Sequence, residues 1–166
     1  MKNLKKYTLI AIISVSVVGS LWHFIYDFSA QNLLVGFFAP VNESTWEHMK
    51  LIFFPMLIFV LMTYKGLSKE YECILPSMFL GNICATWLIP VVFYTYSGIL
   101  GKNTLILDIF TFVLCVICGA LTGYKLTVSC RAKKYKTAIF IFTVLMCACF
   151  FVFTLYPPHI GLFVSP

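Results

Sequence analysis

Charge is what this sequence has least of. Its 166 residues include 12 Lys/Arg and 6 Asp/Glu, 11% of the chain, where a water-soluble domain carries about 25%. With 61% hydrophobic residues and a mean hydropathy of +0.95, there is too little polar surface to clothe a globule in water. A soluble enzyme and a disordered chain are excluded together. The net charge of +6 does not argue for nucleic acid as a partner. The basic residues sit in short segments between apolar runs, where they set the orientation of a membrane protein. HExxH, GxSxG and phosphate-binding glycine loops are also missing, so no familiar signature names a reaction. No repeat, low-complexity tract or linker divides the chain, and 1–166 reads as a single five-span membrane domain.

Cysteine is not scarce, but its placement excludes a disulfide scaffold. The seven cysteines (73, 84, 115, 118, 130, 147, 149) are odd in number and lie in apolar runs or basic loops, so no disulfide framework is expected. Cys115-x-x-Cys118 lies in a mid-helix apolar run with no histidine or charge nearby. It reads as small apolar packing residues.

A bilayer core of about 30 Å needs about 20 apolar helical residues. Five runs qualify, over about 7–26, 45–66, 74–96, 104–124 and 137–156. The expected fold class is therefore all-α, an integral membrane bundle of five transmembrane helices joined by short loops. Lys2, Lys5, Lys6, Lys65, Lys69, Lys125, Arg131, Lys133, Lys134 and Lys136 fall on one side, against Lys50 and Lys102 on the other. The positive-inside bias then predicts a cytoplasmic N-terminus and an extracytoplasmic C-terminus, in a multi-pass protein of the cell membrane. Tyr26, Tyr94, Tyr96, Tyr156, Trp22 and Trp46 would form an outer aromatic belt. The basic start followed by an apolar stretch also resembles a signal peptide cut after Ser20. Apolar residues continue past that point, so the segment is expected to stay as the first span. Pro55 and Pro90 each free a carbonyl one turn earlier and should kink their helices. Gly119-x-x-x-Gly123 should let another helix approach closely, in the bundle or in a helix-mediated oligomer.

This topology draws all three histidines and four of the six carboxylates to one face. Ionisable groups at membrane depth usually face a cavity or a partner. His23 and Asp27 are spaced i, i+4 and would share one face of the first helix. That spacing suits a metal-ligand pair, or equally a local pair closing a helix end. From Phe28 to Asn42 the chain is too apolar for a solvated loop and too short to span, so it should lie in the interface or dip into it. Ser44-x-x-Glu47 forms a capping box, and Glu47 can also pair with Lys50 at i, i+3. Capping does not account for the whole helix start. The uncharged run 51–64 has 14 residues, about 21 Å of helix, so the span must draw in Glu47, His48 and Lys50. Asp108 lies about one turn into the fourth span, either as a dipole-favoured start residue or facing a polar cavity. His159 follows Pro157-Pro158, a stiff exit that would hold the imidazole in place, and the apolar tail 160–164 can lie back on the bundle.

The stretches NESTWEHMKLIFFPM, YTYSGILGKN and PPHIGLF, with WHFIYDF before them, resemble an uncharacterised family of small bacterial multi-pass membrane proteins carrying a domain of unknown function. The resemblance covers nearly the whole chain. It implies a five-span protein and supplies no reaction. The motif positions it implies include His23, Asp27, Asn42, Glu43, Glu47, His48, Tyr94, Tyr96, Lys102, Asp108 and His159.

Two or three imidazoles with carboxylates are a ligand set for a divalent metal such as zinc. The leading expectation is a membrane-embedded, metal-dependent hydrolase or transferase acting on a lipid or lipid-linked substrate. His23, Asp27, His48 and His159 would be its metal ligands, with Glu43 or Glu47 as general base and Asp108 orienting them. The alternatives are an ion, proton or small-molecule transport protein, supported by Asn82 in mid-span and the two prolines, or an accessory or immunity-type membrane protein acting through helix contacts.

Overall fold

The computed structural model describes residues 2–165, and its regular structure is entirely helical among them. The chain runs through α1 (Lys2–Trp22), the one-turn helices α2 (Ile25–Phe28) and α3 (Leu33–Gly36), then α4 (Thr45–Ser68), α5 (Ile74–Leu100), α6 (Leu105–Ser129) and α7 (Lys136–Leu155). Short 3-10 turns at Arg131–Tyr135 and Gly161–Phe163 precede and follow α7. Five helical segments are long and apolar enough to cross a membrane, at the places the apolar runs predict. Local chemistry sets their ends. Ser44 caps α4, its Oγ accepting the Glu47 N–H at 3.4 Å. Gly101 (φ +69) ends α5 in the left-handed region, which a glycine enters without strain.

The first span departs from expectation. α1 stops at Trp22, where the Phe24 N–H bonds back only to Leu21 O (3.1 Å), and helix resumes at Ile25. His23 therefore sits in a turn, and His23 and Asp27 do not share a face of one continuous helix. After α2 the chain reverses through Ala30 and Gln31, both at positive φ. Asn32 then caps α3, its Oδ1 accepting the Leu34 N–H at 2.9 Å. The reversal sends the apolar segment after Asn32 down beside α4, where Phe38 lies 5.1 Å from the Phe54 ring and 5.2 Å from Phe151.

Close helix contacts depend on small residues. A Cβ on Gly119 would come within 2.4 Å of Ala85 Cβ, and one on Gly81 within 2.5 Å of Gly119 O. The small-residue stripe on α6 thus seats α5 inside the bundle. α1 meets α4 where a Cβ on Gly19 would fall 2.5 Å from Leu51 O. That is the carbonyl left without its helical donor by Pro55. The α4–α5 seam carries a polar tie, Asn82 Nδ2–H donating to Phe53 O at 3.0 Å. Such bonds hold helices together where apolar burial gives little driving force.

Two expectations need correction. Trp46 is not an interfacial belt residue: it is 3% exposed, with its ring 4.8 Å from Phe150 and 5.0 Å from Phe163. It is buried because the C-terminal tail folds back over it, as the apolar 160–164 segment suggested, and Tyr94 Oη–H fixes that tail at Gly161 O (3.0 Å). Secondly, Cys73 and Cys130 form a disulfide, with Cα atoms 5.4 Å apart. They meet because α5 and α6 are packed neighbours, which brings the start of one beside the end of the other. Spacing alone gave no sign of this.

Candidate metal centre

Three side chains from two separate stretches converge beyond the end of α1. The α1–α2 turn carries His23, the loop before α4 carries Glu43, and the first turn of α4 carries His48. One Glu43 carboxylate oxygen, Oε2, lies 3.5 Å from His23 Nε2 and 3.3 Å from His48 Nε2. One ligand atom from each residue lies within 4.8 Å of the others. The imidazole rings are 5.3 Å apart and tilted by 46°.

The local sequence prepares His48 for this position. Its Nδ1 lies 2.9 Å from Ser44 O, one helical turn back. An Nδ1–H donated to that carbonyl leaves the Nε2 lone pair facing Glu43 and His23, the outer-shell arrangement that fixes a ligating imidazole. Glu43 follows Asn42, whose Oδ1 accepts the Ser44 N–H at 2.9 Å and bends the loop immediately before the helix. Both histidines are half-buried and Glu43 is largely exposed, so the cluster is open to small molecules.

Of the two roles the sequence offered Glu47, the structure shows the pair with Lys50 and not the capping box. The Ser44 side chain caps the helix, but the Glu47 carboxylate does not close a capping box. It is 2% exposed and paired at 2.6 Å with Lys50, which is wholly buried. The Lys50 ammonium also donates to Gly36 O (2.9 Å), Thr154 Oγ1 (2.6 Å) and, at 3.5 Å, Ala39 O. Glu47 Oε2 in turn accepts the Val41 N–H at 3.0 Å. Trp22 Nε1–H adds a bond to Phe38 O at 3.0 Å. The descending segment thereby obtains partners for backbone groups that no helix satisfies, as membrane depth requires. Sequence reasoning gave Lys50 no such role. The available signal was the short charge-free run of α4, which forces Lys50 inside.

The other expected site residues lie elsewhere. The cluster of His23, Glu43 and His48 contains neither Asp27 nor His159, and both of these are exposed. Asp108 accepts a hydrogen bond from Tyr96 Oη–H across the α5–α6 turn and is not part of the imidazole cluster. Asn82, a feature of the transport alternative, spends its amide on the Phe53 carbonyl.

No curated protein and no solved structure matches this chain. The motif resemblance is confirmed at the level of the family, since the model for a family of unknown function (DUF6512) matches residues 1–165, and the chain belongs to that family.

Proposed function

We propose that this chain is a multi-pass membrane enzyme holding a divalent metal, zinc by donor type, at His23, Glu43 and His48, and that it performs metal-assisted hydrolysis or group transfer. The convergence of two imidazole nitrogens on one carboxylate oxygen carries the reading. Ligand bonds of about 2.0–2.1 Å to zinc place tetrahedral ligands about 3.3 Å apart; the Glu43 oxygen lies 3.5 and 3.3 Å from the two imidazole nitrogens, and the three ligand atoms lie within 4.8 Å of one another, so the imidazoles would draw together on the ion. Three protein ligands with a fourth position open is the pattern of a catalytic ion rather than a structural one. Bound by these three residues, a divalent ion would supply Lewis acidity and a water with a lowered pKa. Glu43 then acts as a ligand, and Glu47, locked to Lys50, is not available as a base. The ten-to-two asymmetry of Lys and Arg supports placing this end of the bundle outside the cytoplasm.

Metal analysis of detergent-purified protein tests the proposal. The wild type and Asp108→Asn should retain one ion per chain after dialysis, while His23→Ala and His48→Ala lose it. A folded wild type without stoichiometric metal would leave two ordinary histidine–glutamate pairs and end the enzyme reading.

A further inference from the structure

We infer that Cys73 and Cys130 are a reversible thiol–disulfide switch on the cytoplasmic face, opened by a low-molecular-weight thiol and closed by its disulfide. The inference is independent of the metal-centre reading. It rests on the orientation that the ten-to-two bias of Lys and Arg supports. Lys65 and Lys69 precede Cys73, and Lys125, Arg131, Lys133, Lys134 and Lys136 surround Cys130 in sequence, so the bond lies on the basic side. Thiols are kept reduced in the cytoplasm, and a disulfide there is usually transient, catalytic or redox-sensing. The other five cysteines lie within the apolar helices α5, α6 and α7, away from water-borne thiols.

The local structure makes the two sulfurs unequal. Cys130 ends α6 at φ +53, in the left-handed region that a side chain enters under strain. Glycine would hold that turn more easily, yet only a cysteine supplies a sulfur there, with its Cα 5.4 Å from that of Cys73. Cys130 is exposed, whereas Cys73 is 4% exposed. An incoming thiolate therefore attacks Cys130 Sγ, the S–S bond breaks, and its electron pair leaves on Cys73 Sγ. Cys73 is the N-cap of α5, where the helix dipole favours a departing thiolate. The neighbouring Glu72 carboxylate is paired with Lys133 and does not oppose that charge. A second thiolate then attacks the small thiol's sulfur in the mixed disulfide, and Cys130 leaves in turn. Two electrons have passed: each protein sulfur takes up a proton, and the two small thiols depart as a disulfide. The reverse exchange closes the bond. Closure ties positions separated by 57 residues, a segment that holds all of α5 and α6. Opening frees the join between these helices and the Arg131–Tyr135 turn, whose Ala132 is buried in one core cluster with Leu4, Tyr7 and Ile74.

The test equilibrates the full chain in detergent with reduced and oxidised glutathione in varied ratio, quenches with acid, alkylates, and reads each cysteine by peptide mass spectrometry. Cys73 and Cys130 should pass from bonded to free within that range and return when the ratio is reversed. In intact, unstressed cells the pair should be free, become bonded under diamide, and be freed again on recovery. Oxidised glutathione should load Cys130 in Cys73→Ser and load Cys73 about tenfold less in Cys130→Ser, the order that exposure sets. The wild-type readouts need neither variant to fold. A pair still bonded in the most reducing mixture, or in unstressed cells, would be a permanent staple and overturn the switch. A pair that stays free under diamide would overturn it equally, and glutathione on Cys73 in preference to Cys130 would refute the exchange as written. Metal content enters none of these readouts, so their failure leaves the metal centre standing.

Discussion

Replacing Lys50 by Met is the sharpest perturbation the fold offers, because the substituted side chain keeps an unbranched stem and loses only the terminal ammonium, with its charge and donors. The ammonium is wholly buried and bonded to Glu47, Gly36 O and Thr154. Removing one partner of a buried ion pair typically costs about 3–5 kcal/mol, since the other charge is left alone. A stranded carbonyl at Gly36 adds about 1–3 kcal/mol. The sum is a large part of the 5–15 kcal/mol that holds a typical domain together. At about 2–4 °C per kcal/mol, Lys50→Met should lower the midpoint of thermal unfolding in detergent by roughly 8 °C or more. The double variant Lys50→Met/Glu47→Leu removes both charges and leaves only the loop's backbone groups unpaired. Apolar replacement of a buried pair is often near neutral, so the double variant should be more stable than Lys50→Met alone. Two results would refute the reasoning: a single variant that melts with the wild type, or a double variant whose loss equals the sum of the two single losses.

Three further outcomes follow from the same coordinates. Gly119→Ala puts a Cβ 2.4 Å from Ala85 Cβ and should cost about 1–3 kcal/mol by overpacking. Gly98→Ala meets nothing within 4 Å and should be neutral or stabilising by up to about 1 kcal/mol; paired thermal melts would show the contrast. Single-cysteine variants in an otherwise cysteine-free chain report orientation: a membrane-impermeant maleimide should label Lys102→Cys in intact cells and reach Lys134→Cys only after lysis, and the reverse pattern would invert the topology. Finally, the hydrogen bond and charge of Lys133 hold the Glu72 carboxyl below its usual range. A depressed carboxyl stabilises the fold at neutral pH and loses that contribution as pH falls through and below its range. In melts taken from pH 7 down to about 3, Glu72→Gln should flatten part of the acid limb. The difference should be small and screened by salt, because the pair is exposed.

The five spans were legible because a bilayer imposes length and apolarity on each helix separately, and both can be counted along the chain. Gly119 and Gly123 were legible for a related reason: absence of a side chain is itself a packing instruction. Less could be read where the outcome depended on pairing between remote segments. The break of α1 before His23 and the chain reversal at Ala30 and Gln31 are spelled out by no run of residues. The capping-box spacing of Ser44 and Glu47 is real, yet Lys50 and the Val41 N–H compete successfully for the same carboxylate. Depth grouped seven ionisable residues as candidates without saying which would touch. Glu43 therefore entered as a base and emerged between two imidazoles, while Asp27 and His159 stayed outside that group.

One physical requirement connects the buried cation to the candidate metal centre. Irregular backbone at membrane depth must be given hydrogen-bond partners by the protein itself. The segment after Asn32 keeps helical N–H bonds only as far as Ala39, and Lys50 and Trp22 take the carbonyls of Gly36, Ala39 and Phe38. Glu47 balances the Lys50 charge and also holds the Val41 N–H, two residues before Glu43. A loop fixed at that point delivers Glu43 between His23 and His48. The placement of Glu43 thus depends on a charge pair that never touches it. Metal affinity should accordingly fall in Lys50→Met even though every ligand remains, and should not recover in Lys50→Met/Glu47→Leu, which also loses the acceptor of the Val41 N–H. Titration with cobalt, followed by its ligand-field absorbance, separates this from a general loss of folding, because a folded Lys50→Met that binds cobalt like the wild type would show that the loop holds its shape without the buried pair.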